Sequence, residues 1–232
     1  MKTLFLALIT FLTLTSCQNN KKQNKEKTNT ISEQTEEKKE ETKTILEKIA
    51  YAHGYEHWPS VEKIEFSFVV NPGEQEMIRH WIWYPKNDKV TLVKENERIT
   101  YKRDNIMQEF VDTDKAFVND SFWLLFPFHL EWGVFNYETI EGVKSPIQQK
   151  ESTKLIVKYP NEGGYTPGDR YDVYLDQNQH IIEWAYYPSG KKEPALLNTF
   201  EDLSNFDGIK INMIHRNPDT GFQLNFRNVS IN

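Results

Sequence analysis

Apolar side chains between residues 45 and 232 recur with two different periods. Ile45, Leu46, Ile49 and Ala52 are three and four apart, the spacing that gathers apolar groups on one face of a helix. Gly54 and Pro59 follow and predict its end. Beyond them the period becomes two. Ile64, Phe66, Phe68 and Val70 alternate with Lys63, Glu65 and Ser67, and Asn71-Pro72-Gly73 supplies a turn. Residues 78–84 and 89–94 read as further strands, divided by Pro85-Lys86-Asn87-Asp88, and residues 99–103 as another. Leu155/Val157/Tyr159, Tyr171/Val173/Leu175 and Ile182/Trp184/Tyr186 each repeat the alternation between turn-rich breaks. Ile209/Ile211/Met213 and Phe222/Leu224/Phe226 read as a closing hairpin about residues 217–221. Short strands at this spacing predict an antiparallel sheet or barrel.

One segment interrupts the strands. Asp112 or Thr113 is placed to cap a helix running to about Leu125, with Pro127 as its stop. Residues 122–128 are apolar on every side, so the segment is expected to lie buried across one face of the sheet. Within residues 79–84, Trp81 and Trp83 fall on one face and Ile82 and Tyr84 on the other, which predicts a strand covered on both sides.

The N-terminus has a different character. Lys2 precedes an apolar stretch from Leu4 to Leu14 that is shorter than the ~20 residues needed to cross a bilayer. Leu14-Thr15-Ser16-Cys17 then matches a lipobox, so residues 1–16 read as a secretion signal and Cys17 as the lipidated first residue of the mature chain. Cys17 is the one cysteine present, which leaves the mature protein without a disulfide, thiolate metal site or cysteine nucleophile. Residues 18–44 are polar apart from Ile31, carry seven Lys and six Glu, and read as a flexible tether with a reach of about 30 Å. Residues 45–232 are then one β-rich domain. The whole chain has a net charge of −6, which argues against nucleic acid and against a peripheral grip on anionic headgroups.

The residues Ala52-His53-Gly54 through Trp58, the strand at 61–70, the stretch 121–130 and the closing Asn228-Val229-Ser230-Ile231-Asn232 together resemble the LolA-like superfamily of outer-membrane lipoprotein carriers and receptors. The resemblance spans residues 45–232. It implies a curved antiparallel sheet, an incomplete barrel covered by the N-terminal helix and a short helical insert, with an apolar cavity that takes acyl chains. Carriers of this type are soluble, so a lipidated chain is more similar to the receptors and lipid-binding lipoproteins of the superfamily. No residue here maps onto the carriers' functional residues, and their activity does not carry over.

Candidate chemistry is sparse. His53-Gly54-Tyr55-Glu56-His57 matches the H-x-x-E-H pattern of inverted zinc peptidases, with Glu131 downstream as a further ligand. Gly54 inside the motif and Pro59 after it favour a plain helix end instead. His80, His129, His180 and His215 are scattered singly, and Asp169, Asp172 and Asp176 read as solvated edge charges rather than a calcium loop. Neither a catalytic nor a cofactor motif stands out. Aromatics make up 13% of the chain, and a curved sheet lined by them is also how an apolar cavity is built. Phe66, Phe68, Trp81, Trp83, Trp123, Phe126, Trp184 and Tyr186 are the expected cavity residues.

The expected protein is a non-enzymatic envelope lipoprotein, anchored through Cys17, that binds a lipid, acyl chain or lipoprotein. Gln18, in place of Asp, resembles signals for release from the inner membrane, which points to the outer membrane facing the periplasm. The alternatives are an interaction module of the envelope, which would show a filled core and an exposed apolar patch, and a hydrolase or metal-dependent enzyme, which would show convergent polar groups in a pocket.

Overall fold

The computed structural model describes residues 43–70 and 76–232. The signal segment, Cys17, the tether as far as residue 42 and the turn Asn71-Pro72-Gly73 lie outside the described residues.

The first helix, α1 (Ile45–Ala52), starts with a capping box. The Glu47 amide donates to Thr44 Oγ1 at 3.2 Å and the Thr44 amide donates to the Glu47 carboxylate at 2.6 Å. Its far end is closed by Lys210, whose ammonium donates to the Ala52 carbonyl at 3.0 Å. Gly54 then turns the chain with φ 89°. A Cβ at this position would run into the Gly208 carbonyl, so the close approach needs glycine as much as the angle does.

Twelve strands follow among the described residues: β1 (Ile64–Val70), β2 (Met77–Tyr84), β3 (Lys89–Val93), β4 (Arg98–Lys102), β5 (Asn136–Lys144), β6 (Glu151–Lys158), β7 (Arg170–Leu175), β8 (Ile181–Tyr187), β9 (Leu196–Thr199), β10 (Glu201–Phe206), β11 (Ile209–Asn217) and β12 (Phe222–Ile231). Between β4 and β5 stand α2 (Val111–Leu124) and α3 (Phe126–Trp132). All described pairings are antiparallel. The fold is thus the mainly-β arrangement with helices that was expected, but its strands form two open sheets. One has the order β10-β11-β12-β1-β2-β3-β4 and the other β5-β6-β7-β8-β9.

Phe200, a single residue, carries the chain from β9 in one sheet to β10 in the other. Across this seam the Arg216 amide of β11 donates to Thr199 Oγ1 at 3.1 Å. The end strands are β10 and β4 in the first sheet and β5 and β9 in the second; β9 and β10 adjoin at Phe200, and the α2–α3 segment connects β4 to β5.

Two buried carboxylates pin α2. Asp120 accepts both Nε and Nη2 of Arg79 at 2.6 Å and Trp81 Nε1 at 2.8 Å. Asp114 accepts Arg103 Nε at 2.8 Å and the Tyr101 hydroxyl at 3.1 Å. A buried charge is tolerated only when paired in this way. The core between helices and sheets is strongly aromatic, with Phe66, Trp81, Phe117, Phe126, Phe128 and Trp184 fully enclosed.

Three local expectations need correction. α2 begins at Val111, with Phe110 at the cap position and no side-chain cap, because Asp112 already lies within the first turn. Pro127 opens α3 instead of ending a helix, since a helix's first turn needs no amide donor there. On β2 only Trp81 and Trp83 are buried. Ile82 and Tyr84 are partly open to solvent, with Lys89 Nζ lying 4.0 Å from the Tyr84 ring centre.

Candidate functional site

The helix α2 has two working faces. Asp114, Phe117, Asp120, Ser121 and Leu124 turn inward, while Lys115, Val118, Asn119 and Phe122, spaced at three, one and three, form the opposite stripe. That stripe is one wall of a half-open cavity of about 420 Å³. His129 and Trp132 of α3 make the second wall, Tyr159 and Tyr171 the floor, and the β6–β7 loop from Pro160 to Thr166 the third side. The size falls in the range of small-molecule pockets.

Aromatic rings dominate the interior. Phe122 lies 5.4 Å from Tyr171 and 5.0 Å from His129, Tyr159 lies 6.0 Å from Tyr171, and His129 lies 5.0 Å from Trp132. Burial pulls the His129 pKa down to about 4, helped by the positive charge of Arg103, so its imidazole is neutral near pH 7. Burial likewise raises the Tyr159 hydroxyl to about 12 and pushes that of Tyr171 up. The charged groups at the cavity are Lys115, which pairs with the exposed Asp112 at 3.3 Å, and Glu162 on the loop. Such a cavity can enclose an apolar body, and it presents no nucleophile–base pair.

The loop wall is held at its neck and its tip. At the neck the Tyr159 amide donates to the Asp169 carbonyl at 2.9 Å and the Gly168 amide to the Pro160 carbonyl at 2.7 Å. At the tip the Tyr165 hydroxyl donates to Asp114 at 2.9 Å.

None of the eight aromatic residues expected to line a cavity lines this one. Phe66, Phe68, Trp81, Trp123, Phe126 and Trp184 are packed into the core. Trp83 borders a separate, shallower groove. Tyr186 stands behind the floor, 5.1 Å from Tyr171, with its hydroxyl donating to Asp169 at 2.7 Å. The inward strand faces are filled by α2 and α3, and the open space lies on the far side of those helices, against β7 and its loop. The α2 stripe at 115, 118, 119 and 122 was the available signal for this placement, and Trp132 had none.

The histidine motif is dismantled by the backbone. His53 is fully buried, its Nδ1 2.8 Å from the Ile49 carbonyl, whereas His57 lies beyond the Gly54 turn and is about half exposed. Among the described residues no group of three or more His, Cys, Asp or Glu is placed to hold a metal ion. The three aspartates are not solvated edge charges. Asp169 and Asp172 are buried, the latter facing Arg170 and Lys154, and Asp176 accepts the Asn178 and His180 amides at 2.8 Å in the β7–β8 turn.

No family model and no curated protein matches the chain. Similar solved structures include a DUF1329 family protein from Desulfovibrio piger, 11% identical, covering 82% of this chain and 94% of that one with a TM-score of 0.43. A domain described as an outer-membrane lipoprotein-sorting protein from Vibrio parahaemolyticus is 14% identical, covering 80% and 93% with a TM-score of 0.42. The Mycobacterium tuberculosis lipoprotein LppX is 10% identical, covering 80% and 94% with a TM-score of 0.27.

Proposed function

We propose that this chain is a lipid-anchored protein of the bacterial envelope that holds the apolar chain of a lipid, fatty acid or lipoprotein, without catalysing a reaction on it. The observation that carries the reading is the cavity walled by Phe122, Trp132, Tyr159 and Tyr171 between α2, α3 and the β6–β7 loop. Enclosing an acyl chain there is worth ~0.8 kcal/mol per methylene removed from water, so a chain of about twelve carbons gains roughly 10 kcal/mol, enough to offset an association cost of about 4 kcal/mol and bind with a dissociation constant on the order of 0.1 mM. The anchor follows from the lipobox at Cys17, and placement on the periplasmic side of the outer membrane from the residues after it.

Titration of the domain with a fluorescent fatty acid tests this directly. Saturation near one probe per domain is expected, together with weakened binding in Val118→Glu, which puts a charge on the α2 wall. Absence of saturable binding for fatty acids, phospholipids and lipopeptides alike, with the fold intact, would sink the proposal.

One observation favours a second reading, an interaction module. The edge strand β5 is exposed along nearly its whole length, with Tyr137 and Ile140 open to solvent. An uncovered edge is a template for pairing with another chain.

A further inference from the structure

Trp132 borders two apolar spaces at once. One is the cavity just described, and the other is a shallower depression of about 290 Å³ lined by Trp58, Pro59, Val61, Trp83, Pro85 and Lys86. Trp132 is the residue common to both linings.

Its position is over-determined. Trp132 is the last residue of α3, and its Nε1 donates to the Tyr55 hydroxyl at 3.1 Å, just past the end of α1. Its ring lies 4.8 Å from Trp58, 5.0 Å from His129 and 5.9 Å from Phe128. A ring fixed by one hydrogen bond and three aromatic neighbours is a rigid wall. An apolar chain lying in the cavity therefore meets an end at Trp132, although further apolar surface (Trp58, Trp83 and two prolines) waits behind it.

We propose that Trp132 is the stop that sets how long an apolar chain this site accepts, and that removing it joins the cavity to the Trp58–Trp83 groove. This inference rests on the acyl-binding reading above. A chain shorter than the stop gains affinity with every methylene, and a longer one gains nothing because its tail stays in water.

The test is a displacement series with saturated fatty acids of about eight to about twenty carbons. In the wild type, affinity is expected to rise about fourfold per methylene and then level off at a break point. In Trp132→Ala the break point moves to longer chains, and in Trp132→Phe it moves by fewer carbons. Tyr55→Phe, which frees the indole without removing it, blurs the break. Circular dichroism and thermal melts establish which variants are folded, and Trp132→Phe carries the test if the alanine variant is not. An unmoved break point in a folded Trp132 variant overturns the inference and leaves the acyl-binding reading standing. A wild type that binds no chain at all overturns that reading itself.

Discussion

Tyr165 and Asp114 are 51 residues apart in sequence, and the hydroxyl of the first donates to the carboxylate of the second at 2.9 Å. This bond ties the tip of the β6–β7 loop to α2 at the side of the cavity. Tyr165 is otherwise 46% exposed, and Gly163 and Gly164 beside it have positive φ and open space around them. The tyrosine is thus the latch of a loop with little else to hold its tip.

Tyr165→Phe is expected to speed release of a bound fatty-acid probe several-fold while lowering stability by about 1 kcal/mol or less, since Asp114 keeps Arg103 and Tyr101. Stopped-flow release rates compared with a urea titration separate the two effects. Unchanged release kinetics would show that the loop does not control access.

Asp120→Asn leaves the Arg79 guanidinium without its counter-charge at a fully buried position. Breaking one partner of such a pair costs about 3–5 kcal/mol, and the partial exposure of Arg79 places the expectation at the lower end. Chemical denaturation measures it. A loss under about 1 kcal/mol would mean that the pair does not pin α2 to β2.

The buried histidines predict acid sensitivity. Burial is the leading cause that lowers His53 and His129 to about 4 and His215 to about 3. Each is held neutral in the fold and protonates more readily when unfolded, so its contribution is complete above about pH 6.5 and is lost as pH falls towards 4. The slope is roughly 1.4 kcal/mol per pH unit for each such group. His215 packs against Phe200 at 4.3 Å and Trp123 at 5.2 Å. His215→Phe should therefore flatten the decline of urea midpoints between pH 6.5 and 4, and an unchanged slope would refute the assignment.

If Cys17 carries the lipid anchor proposed above, Cys17→Ala releases the protein from membranes and leaves the fold of residues 45–232 unchanged. Fractionation after a salt wash reads the outcome. A variant that still pellets would contradict the lipobox reading.

Strands at 64–70, 170–175 and 181–187 were legible in the sequence because alternation of side chains is a property of the pleated backbone itself. The same signal passed over β5, which is exposed on both faces and so has no alternation to show, and over the short strands β9 and β10 on either side of Phe200. It also marked residues 122–128 as buried, and all of them but the partly buried Phe122 are.

What local pattern determined, then, was where strands and helices form and that aromatic residues gather between them. Which aromatics line a cavity was decided by tertiary structure. Phe122 on α2 and Phe126 at the start of α3 are four residues apart and chemically identical, yet the first lines the cavity and the second is sealed in the core. The side that Phe122 faces is set by the rotation of α2 about its axis, whereas Phe126 lies past the non-helical Leu125 that ends that helix. Asp114 and Asp120 fix that rotation by turning their face towards Tyr101 on β4, Arg103 just after it, and Arg79 and Trp81 on β2, which leaves Lys115, Val118, Asn119 and Phe122 to face the open side. Partners so far away in sequence leave no periodic trace near the helix, so the site emerges only once the sheets are assembled.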